Sequence, residues 1–187
     1  MYREKIKVLD CTVRDGGLIN NYQFKDDFVK AIYRATCDSG IDIMEIGKKL
    51  CVSDEYTREK YGKWNFCDED DMKYIVDSHE CEKPPMLAVM YDVDRVDVSA
   101  LPSADQSVVG MVRTACYVAD IDKGLDLVKR SKDLGYQTTI NIMACSAAIE
   151  TELIETLQQI DKTAEVDYLY FVDSFGAFYS EQITSYL

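Results

Sequence analysis

The chain has 187 residues, enough for one sizeable core and short for two. At 47% hydrophobic, with 3 prolines, its composition is that of an ordinary globular protein and excludes a disordered one. A net charge of -13, from 34 acids against 21 bases, argues against nucleic acid or an anionic membrane surface as partner, because there is no basic stripe to neutralise phosphates.

In chain order, residues 6–10 predict a buried strand that stops at "DCTVRDGG", where Asp10, Thr12, Arg14 and Asp15 crowd into an expected loop ahead of Gly16 and Gly17. Phe24, Phe28, Ile32 and Ala35 then fall on one face of a predicted helix. Residues 41–47 predict a second strand. Residues 51–68 form the longest irregular stretch, and their Tyr, Trp and Phe content predicts a loop that packs on or covers something. Met72, Ile75, Val76 and His79 line the next helix, and residues 86–92 the third strand. The segment 96–105 is a weaker helix pattern, interrupted by Pro102.

Residues 108–114 predict the fourth strand. Ile121, Leu125 and Val128 mark a helix with Asp120 as its N-cap and Gly135 as its stop. Residues 138–144 give the fifth strand. Ile149, Leu153, Leu157 and Ile160 mark another helix, residues 168–173 the sixth strand, and "SEQITSYL" opens a last helix. The strand runs are apolar almost throughout, as strands buried on both faces should be. About six β-α repeats with no linker predict a single α/β domain over 1–187, with parallel strands joined by right-handed crossovers. Either an open sheet or a barrel fits the pattern.

The 7 cysteines are scattered and none forms a C-x-x-C pair, so neither a disulfide framework nor a zinc finger is expected. That usage fits a reducing, cytoplasmic compartment. No run approaches membrane-spanning length, and no signal peptide is expected.

Asp10, Arg14 and Asp15 follow the first strand. Glu45 and Gly47 end the second, Asp92 the third and Thr114 the fourth. Asn141 and Cys145 come late in the fifth, and Asp173 and Ser174 end the sixth. The carboxyl ends of such strands share one face, and that face carries the site. Five acids and one Arg there suggest a divalent-cation site with an anion clamp. A lone acid such as Asp92 is better read as a wet strand end. The dense cluster around Arg14 favours function, with the glycines letting a ligand approach the backbone. There is no G-x-G-x-x-G, P-loop or G-x-S-x-G motif. His79, the single histidine, reads as a helix-end or packing residue, which disfavours a Ser-His-Asp or Cys-His mechanism.

"LDCTVRDGG" resembles the D-x-T-L-R-D-G signature of the DRE-type metallolyases, the 3-hydroxy-3-methylglutaryl-CoA lyase-like TIM barrels. "IDIMEIG" is similar to that family's second strand, "EKYGKWNFCDEDDMKYI" to a loop of its 4-hydroxy-2-oxovalerate aldolase branch, and "YFVDSFGAFYSEQI" to its sixth strand and following helix. The resemblance implies a partial (β/α)8 barrel of about six β/α units, truncated before strands seven and eight. It implies Asp15 as a metal ligand, Arg14 and Glu45 as catalytic residues, and Asp10, Thr12, Gly16, Thr114, Asp173 and Ser174 around the substrate. The cofactor implied is a divalent metal, Mg²⁺ or Mn²⁺. The implied reaction is lysis or formation of a carbon–carbon bond in a small keto or hydroxy acid, through an enolate whose charge Arg14 stabilises.

Two departures stand out. The aldolase branch has a histidine base after R-D-G, where this chain has Leu18. Its remaining ligands, an H-x-H on strand seven, would lie beyond Leu187. The chain is therefore read as an N-terminal fragment, inactive alone, whose bare edges favour a homo-oligomer, a dimer being expected. The alternatives are a barrel-derived scaffold without catalysis and a phosphohydrolase with Asp10 as nucleophile. The latter is disfavoured because Thr12 stands where its second aspartate would be.

Overall fold

The computed structural model describes residues 6–97, 101–163 and 165–186. Six strands form one sheet in chain order with every neighbouring pair parallel: β1 (Leu9–Asp10), β2 (Ile43–Lys48), β3 (Met86–Asp92), β4 (Val109–Cys116), β5 (Gln137–Ile142) and β6 (Tyr168–Phe171). The sheet curls into a half-barrel, as the resemblance implied. Seven helices accompany it among the described residues: α1 (Thr12–Asn20), α2 (Asp26–Ser39), α3 (Arg58–Tyr61), α4 (Glu69–Val76), α5 (Ile121–Asp133), α6 (Glu150–Asp161) and α7 (Ser180–Tyr186).

Side chains alternate across each strand, which sorts the core into two faces. On the convex face Met44, Ile46, Leu87, Val89 and Val112 pack with Val29, Tyr33, Met72, Ile75 and Leu127 from the helices. Cys116, Ile140 and Ile142 continue that face against Ile121, Val128 and Leu153. On the concave face Ile43, Ala88 and Met111 meet Leu9 and Met86. Burial on both sides is why the strand sequences are apolar without alternation. β1 and β6 are the edges of the sheet, and Val8, Tyr168 and Leu169 there are exposed.

Four expectations need correction. The "TVRDGGLIN" stretch is not a loop: it is helix α1, with both glycines inside it. A Cβ on Gly17 would lie 2.2 Å from the Tyr22 ring, and one on Gly16 3.3 Å from Phe24. The glycines thus make room for Tyr22 and Phe24, not for a ligand. The chain leaves α1 through left-handed Asn21 and Tyr22, and the Tyr22 N–H donates to the Gly17 carbonyl at 2.9 Å.

In α2 the buried face is Val29, Tyr33, Thr36 and Cys37. Phe28 is exposed and stacks on Phe24, which precedes the helix. Shifting the pattern by one residue rotates the face by about 100°, and both registers satisfy a helical period. The segment 96–105 lies partly outside the described residues (98–100); its described part gives only a 3₁₀ turn, Ala104–Gln106. The Pro102 carbonyl accepts from the Tyr136 hydroxyl at 2.9 Å, and the Ala104 N–H donates to the Leu134 carbonyl at 2.8 Å. Finally, Ile149 precedes α6 and is exposed, while Leu153 and Ile160 are buried as expected.

Other expectations hold. Asp120 occupies the N-cap position of α5, and Gly135 follows that helix with φ +92°. His79 sits on the outside, its Nε2 3.5 Å from Asp38. The aromatic stretch 51–68 packs: Trp64, Phe66 and Cys67 are buried beneath the end of β2.

Candidate active site

Glu45 occupies the concave face of β2, two residues beyond Ile43, and is fully buried. Its Oε2 is 2.7 Å from Arg14 Nε, 2.6 Å from Arg113 Nη1 and 3.3 Å from Cys11 Sγ. Three elements converge here. α1 delivers Arg14 across to the carboxylate, and β4 delivers Arg113 on the same face as Met111. The Arg113 guanidinium lies 4.7 Å above the Tyr170 ring, and its Nη2 donates to Asn141 Oδ1 at 3.4 Å.

Burial works against the Arg14 charge, but Glu45 outweighs it and the guanidinium holds its proton more tightly than usual. Burial, reinforced by Glu45, pushes the Cys11 thiol up to about 11, so it stays protonated at neutral pH. A buried guanidinium, Arg113, and a half-buried one, Arg14, share one carboxylate oxygen. The other oxygen, Oε1, has no hydrogen-bond partner among the described residues, and neither do Arg113 Nε and Asn141 Nδ2. Unsatisfied buried polar atoms are costly, and the unused donors Arg113 Nε and Asn141 Nδ2 suit a ligand with acceptor oxygens.

Asp15 lies at the rim, 60% exposed, with Oδ1 2.5 Å from Arg14 Nη1. Among the described residues no group of three His, Cys, Asp or Glu side chains could hold a metal ion. One exposed, arginine-paired carboxylate is too few ligands for Mg²⁺ or Mn²⁺, so the described residues by themselves do not fit the expected metal centre. Asp10 turns the chain into α1: its carboxylate accepts from the Thr12 hydroxyl at 2.6 Å and the Thr12 N–H at 3.2 Å. Both oxygens are engaged, which disfavours Asp10 as a nucleophile. Gly16 is occupied by its contact with Phe24.

Thr114 does not join the cluster. It pairs in register with Tyr91 and Ile140, whose side chains are on the convex face, one residue out of phase with Arg113. The apolar run predicted a strand ending at Thr114, but β4 runs on to Cys116, and the alternation places Arg113, which the sequence did not single out, beside Glu45. The available signal was one cation within the apolar run "VGMVRTAC". Leu18 is exposed on α1.

Asp173 and Ser174 tie loops together. The Asp173 carboxylate accepts from the Ser146 hydroxyl at 2.5 Å and the Phe178 N–H at 2.8 Å; Ser174 Oγ accepts from the Ala144 N–H at 3.0 Å. The Ser146 hydroxyl, followed by the Phe178 N–H, lowers the Asp173 carboxyl to about 2. A depressed carboxyl contributes stability that is present above its unfolded value and lost as pH falls through its folded one. The tie between the two loops is thus expected to hold at neutral pH and loosen between about pH 4 and pH 2. An NMR titration of the Asp173 carboxyl carbon checks this; a midpoint near 4 would contradict it.

No family model matches the chain. Along 181 residues it is 25% identical to a 4-hydroxy-2-oxovalerate aldolase of Geobacillus thermodenitrificans, covering 96% of this chain and 51% of that protein. Along 176 residues it is 26% identical to 4-hydroxy-2-oxovalerate aldolase 4 of Rhodococcus opacus, covering 94% and 49%. The chain thus spans about half the length of the curated relatives it matches. Among solved structures it superposes on the N-terminal domain of a candidate aldolase from Bacteroides vulgatus with TM-score 0.75 and 27% identity, covering 96% of this chain and 58% of that one. A xylanase of Thermotoga petrophila, 12% identical with TM-score 0.53 over 85% of this chain and 55% of its own, shares the fold alone. The similarity carried by "LDCTVRDGG" therefore runs along nearly the whole chain. No helix among the described residues is long and apolar enough to cross a membrane.

Proposed function

We propose that the protein is a carbon–carbon lyase of the aldolase type acting on small keto or hydroxy acids through an enolate. The observation that carries this is the buried Arg14–Glu45–Arg113 cluster on the concave face of the half-barrel, toward the carboxyl ends of the strands. Glu45 fixes both guanidiniums and cancels one charge. Asp15 offsets the other from the rim, so the unused donors Arg113 Nε and Asn141 Nδ2 would bind the substrate carboxylate, with Arg14 beside negative charge as it develops on the neighbouring oxygen. Relatives named 4-hydroxy-2-oxovalerate aldolase, similar along the whole chain, support the reading.

The 187 residues would form the first part of one catalytic barrel. Further strands, a second copy of the chain, or both would cover the β1 and β6 edges. A divalent cation, Mg²⁺ or Mn²⁺, would take Asp15 and needs its other ligands from outside the described residues. The acidic, cysteine-bearing chain is assigned to the cytoplasm, without nucleic acid or membrane partners. The missing base at Leu18 favours, as a second reading, a barrel-derived scaffold that binds but does not turn over, and the 187 residues alone are expected to lack turnover.

The test is exchange of the C3 hydrogens of pyruvate for deuterium by the full-length protein, followed by NMR. Exchange is expected, and Arg14→Lys is expected to slow it by about 10²–10³-fold, as removal of an oxyanion donor does. No exchange, with pyruvate still bound, would leave the scaffold.

A further inference from the structure

At the end of the half-barrel opposite the mouth, the last turn of α2 meets the loop that leads from α4 into β3. Two contacts join them. Lys30 Nζ lies 3.7 Å above the Tyr74 ring, and Asp38 Oδ1 lies 3.5 Å from His79 Nε2. Each partner of the second contact has a cysteine close by in the chain: Cys37 precedes Asp38, and Cys81 follows Glu80 just after His79. Both cysteines are free, and both line one cavity of about 440 Å³ together with Asp38 and His79. Both also belong to one apolar cluster, Cys37 within it and Cys81 packed against it.

The two sulfurs are partners. The Cys37 thiol hydrogen-bonds to Cys81, and the Tyr33 side chain bonds to Cys37. Their exposures differ: Cys37 is 8% exposed, whereas Cys81 is half-buried in the loop. Burial, reinforced by the bond to Cys81, pushes the Cys37 thiol up to about 11, so it is a protonated donor at neutral pH. Cys81 is the sulfur that solvent reaches. Cys67 and Cys145, by contrast, bond to the Trp64 and Ile142 carbonyls, and Cys11 bonds to Glu45.

Two thiols in contact, one accessible and one buried behind it, are the parts of an oxidisable dithiol. We propose that Cys81 and Cys37 form a reversible disulfide when the protein meets hydrogen peroxide. Cys81 reacts first, because the thiolate that meets solvent is the nucleophile. Its sulfur attacks one peroxide oxygen, the O–O bond breaks, and the departing hydroxide takes the proton that Cys81 gave up and becomes water. Cys81 is then a sulfenic acid. The Cys37 sulfur attacks it: the S–S bond forms, the S–O bond breaks, and the hydroxyl leaves with the Cys37 proton as a second water. Two thiols give up two electrons and two protons, and one peroxide becomes two waters. A small dithiol reverses the step by exchange. The link closes residues 37–81 into a loop and ties α2 to the entry of β3, at the far end from the Arg14–Glu45–Arg113 cluster. It narrows the unfolded ensemble and so clamps the fold under oxidant. In a reducing compartment such a bond is transient.

The experiment treats the reduced full-length protein with hydrogen peroxide, blocks the remaining thiols with N-ethylmaleimide, digests with trypsin without reductant and maps the peptides by mass spectrometry. Residues 35–48 and 74–95 come off as separate peptides, each with one cysteine. The expected result is that these two peptides are joined and that dithiothreitol separates them. Cys51→Ser should leave the yield unchanged. Cys37→Ser should abolish the link and leave a Cys81 sulfenic acid that dimedone traps about tenfold or more above wild type. Circular dichroism controls for folding, and Cys37→Ala serves as a second variant should Cys37→Ser fold poorly. Melted without reductant, the linked protein should have a midpoint about 4 °C or more above that of the reduced one. Peroxide treatment that leaves both peptides alkylated, or that carries Cys81 to the sulfinic acid unlinked, overturns the inference. A linked protein that melts no higher than the reduced one removes the clamp.

Discussion

Replacing Glu45 with Ala is expected to cost about 3–5 kcal/mol of stability, because it leaves Arg113 in the interior with no counter-charge and Arg14 with only the exposed Asp15. Arg14 is 15% exposed and Arg113 6% exposed in their side chains, so water can restore little of the lost interaction. Domains of ordinary stability have about 5–15 kcal/mol in total, and the variant should unfold at much lower urea. The comparison that isolates charge from packing is the triple change Glu45→Leu, Arg14→Met and Arg113→Met. Removing all three charges should recover most of the loss, since an apolar set of similar volume avoids the desolvation of buried ions. The triple variant should also bind no 2-oxo acid. Urea titrations followed by circular dichroism decide the matter. A single Glu45→Ala variant as stable as wild type would mean that the cluster is hydrated and not held together by Glu45.

The second large effect is expected from Trp64→Ala. Trp64 is fully buried, and its backbone carbonyl abuts Gly47 at the exit of β2. Truncation removes the side chain's transfer free energy and leaves a cavity, together about 3–5 kcal/mol. Lys63, next in the chain, is held by Asp26 and Asp71 at 2.7 and 3.1 Å, so the loop cannot readily collapse into the gap. The change should also reach the site, since the same loop fixes where β2 ends and therefore how Glu45 is presented. Trp64→Phe should lose less than half as much. As this is the chain's only tryptophan, unfolding is best followed by circular dichroism; a loss below about 1 kcal/mol would mean that the loop is not part of the core.

The placement of particular residues shows how much was legible beforehand. The order of strands and helices could be read because six apolar runs of strand length alternate with helical periods, and a strand buried on both faces announces itself by composition alone. Arg14, Asp15 and Glu45 could be singled out because charges beside apolar runs are unusual, and the motif around them resembles a known one. Local chemistry also placed Asp120 at a helix start and Gly135 just past its end.

What the sequence could not decide is which neighbour each residue meets. Phe28 and Val29 both satisfy a helical period, and the choice was made by the surface that the sheet presents to α2. Gly16 and Gly17 looked like room for a ligand, but Tyr22 and Phe24 fold back to fill that room. Thr114 and Arg113 are adjacent in the chain and opposite in space; only the register of β4 against β3 and β5 says which one faces Glu45. The sequence by itself determined the six strands, most of the helices and their order, because those follow from local propensity and patterned burial; α1 escaped it because its two glycines and dense charges read as a loop. The tertiary structure decided the membership of the site, because a charge becomes functional through the partners it meets across strands far apart in the chain.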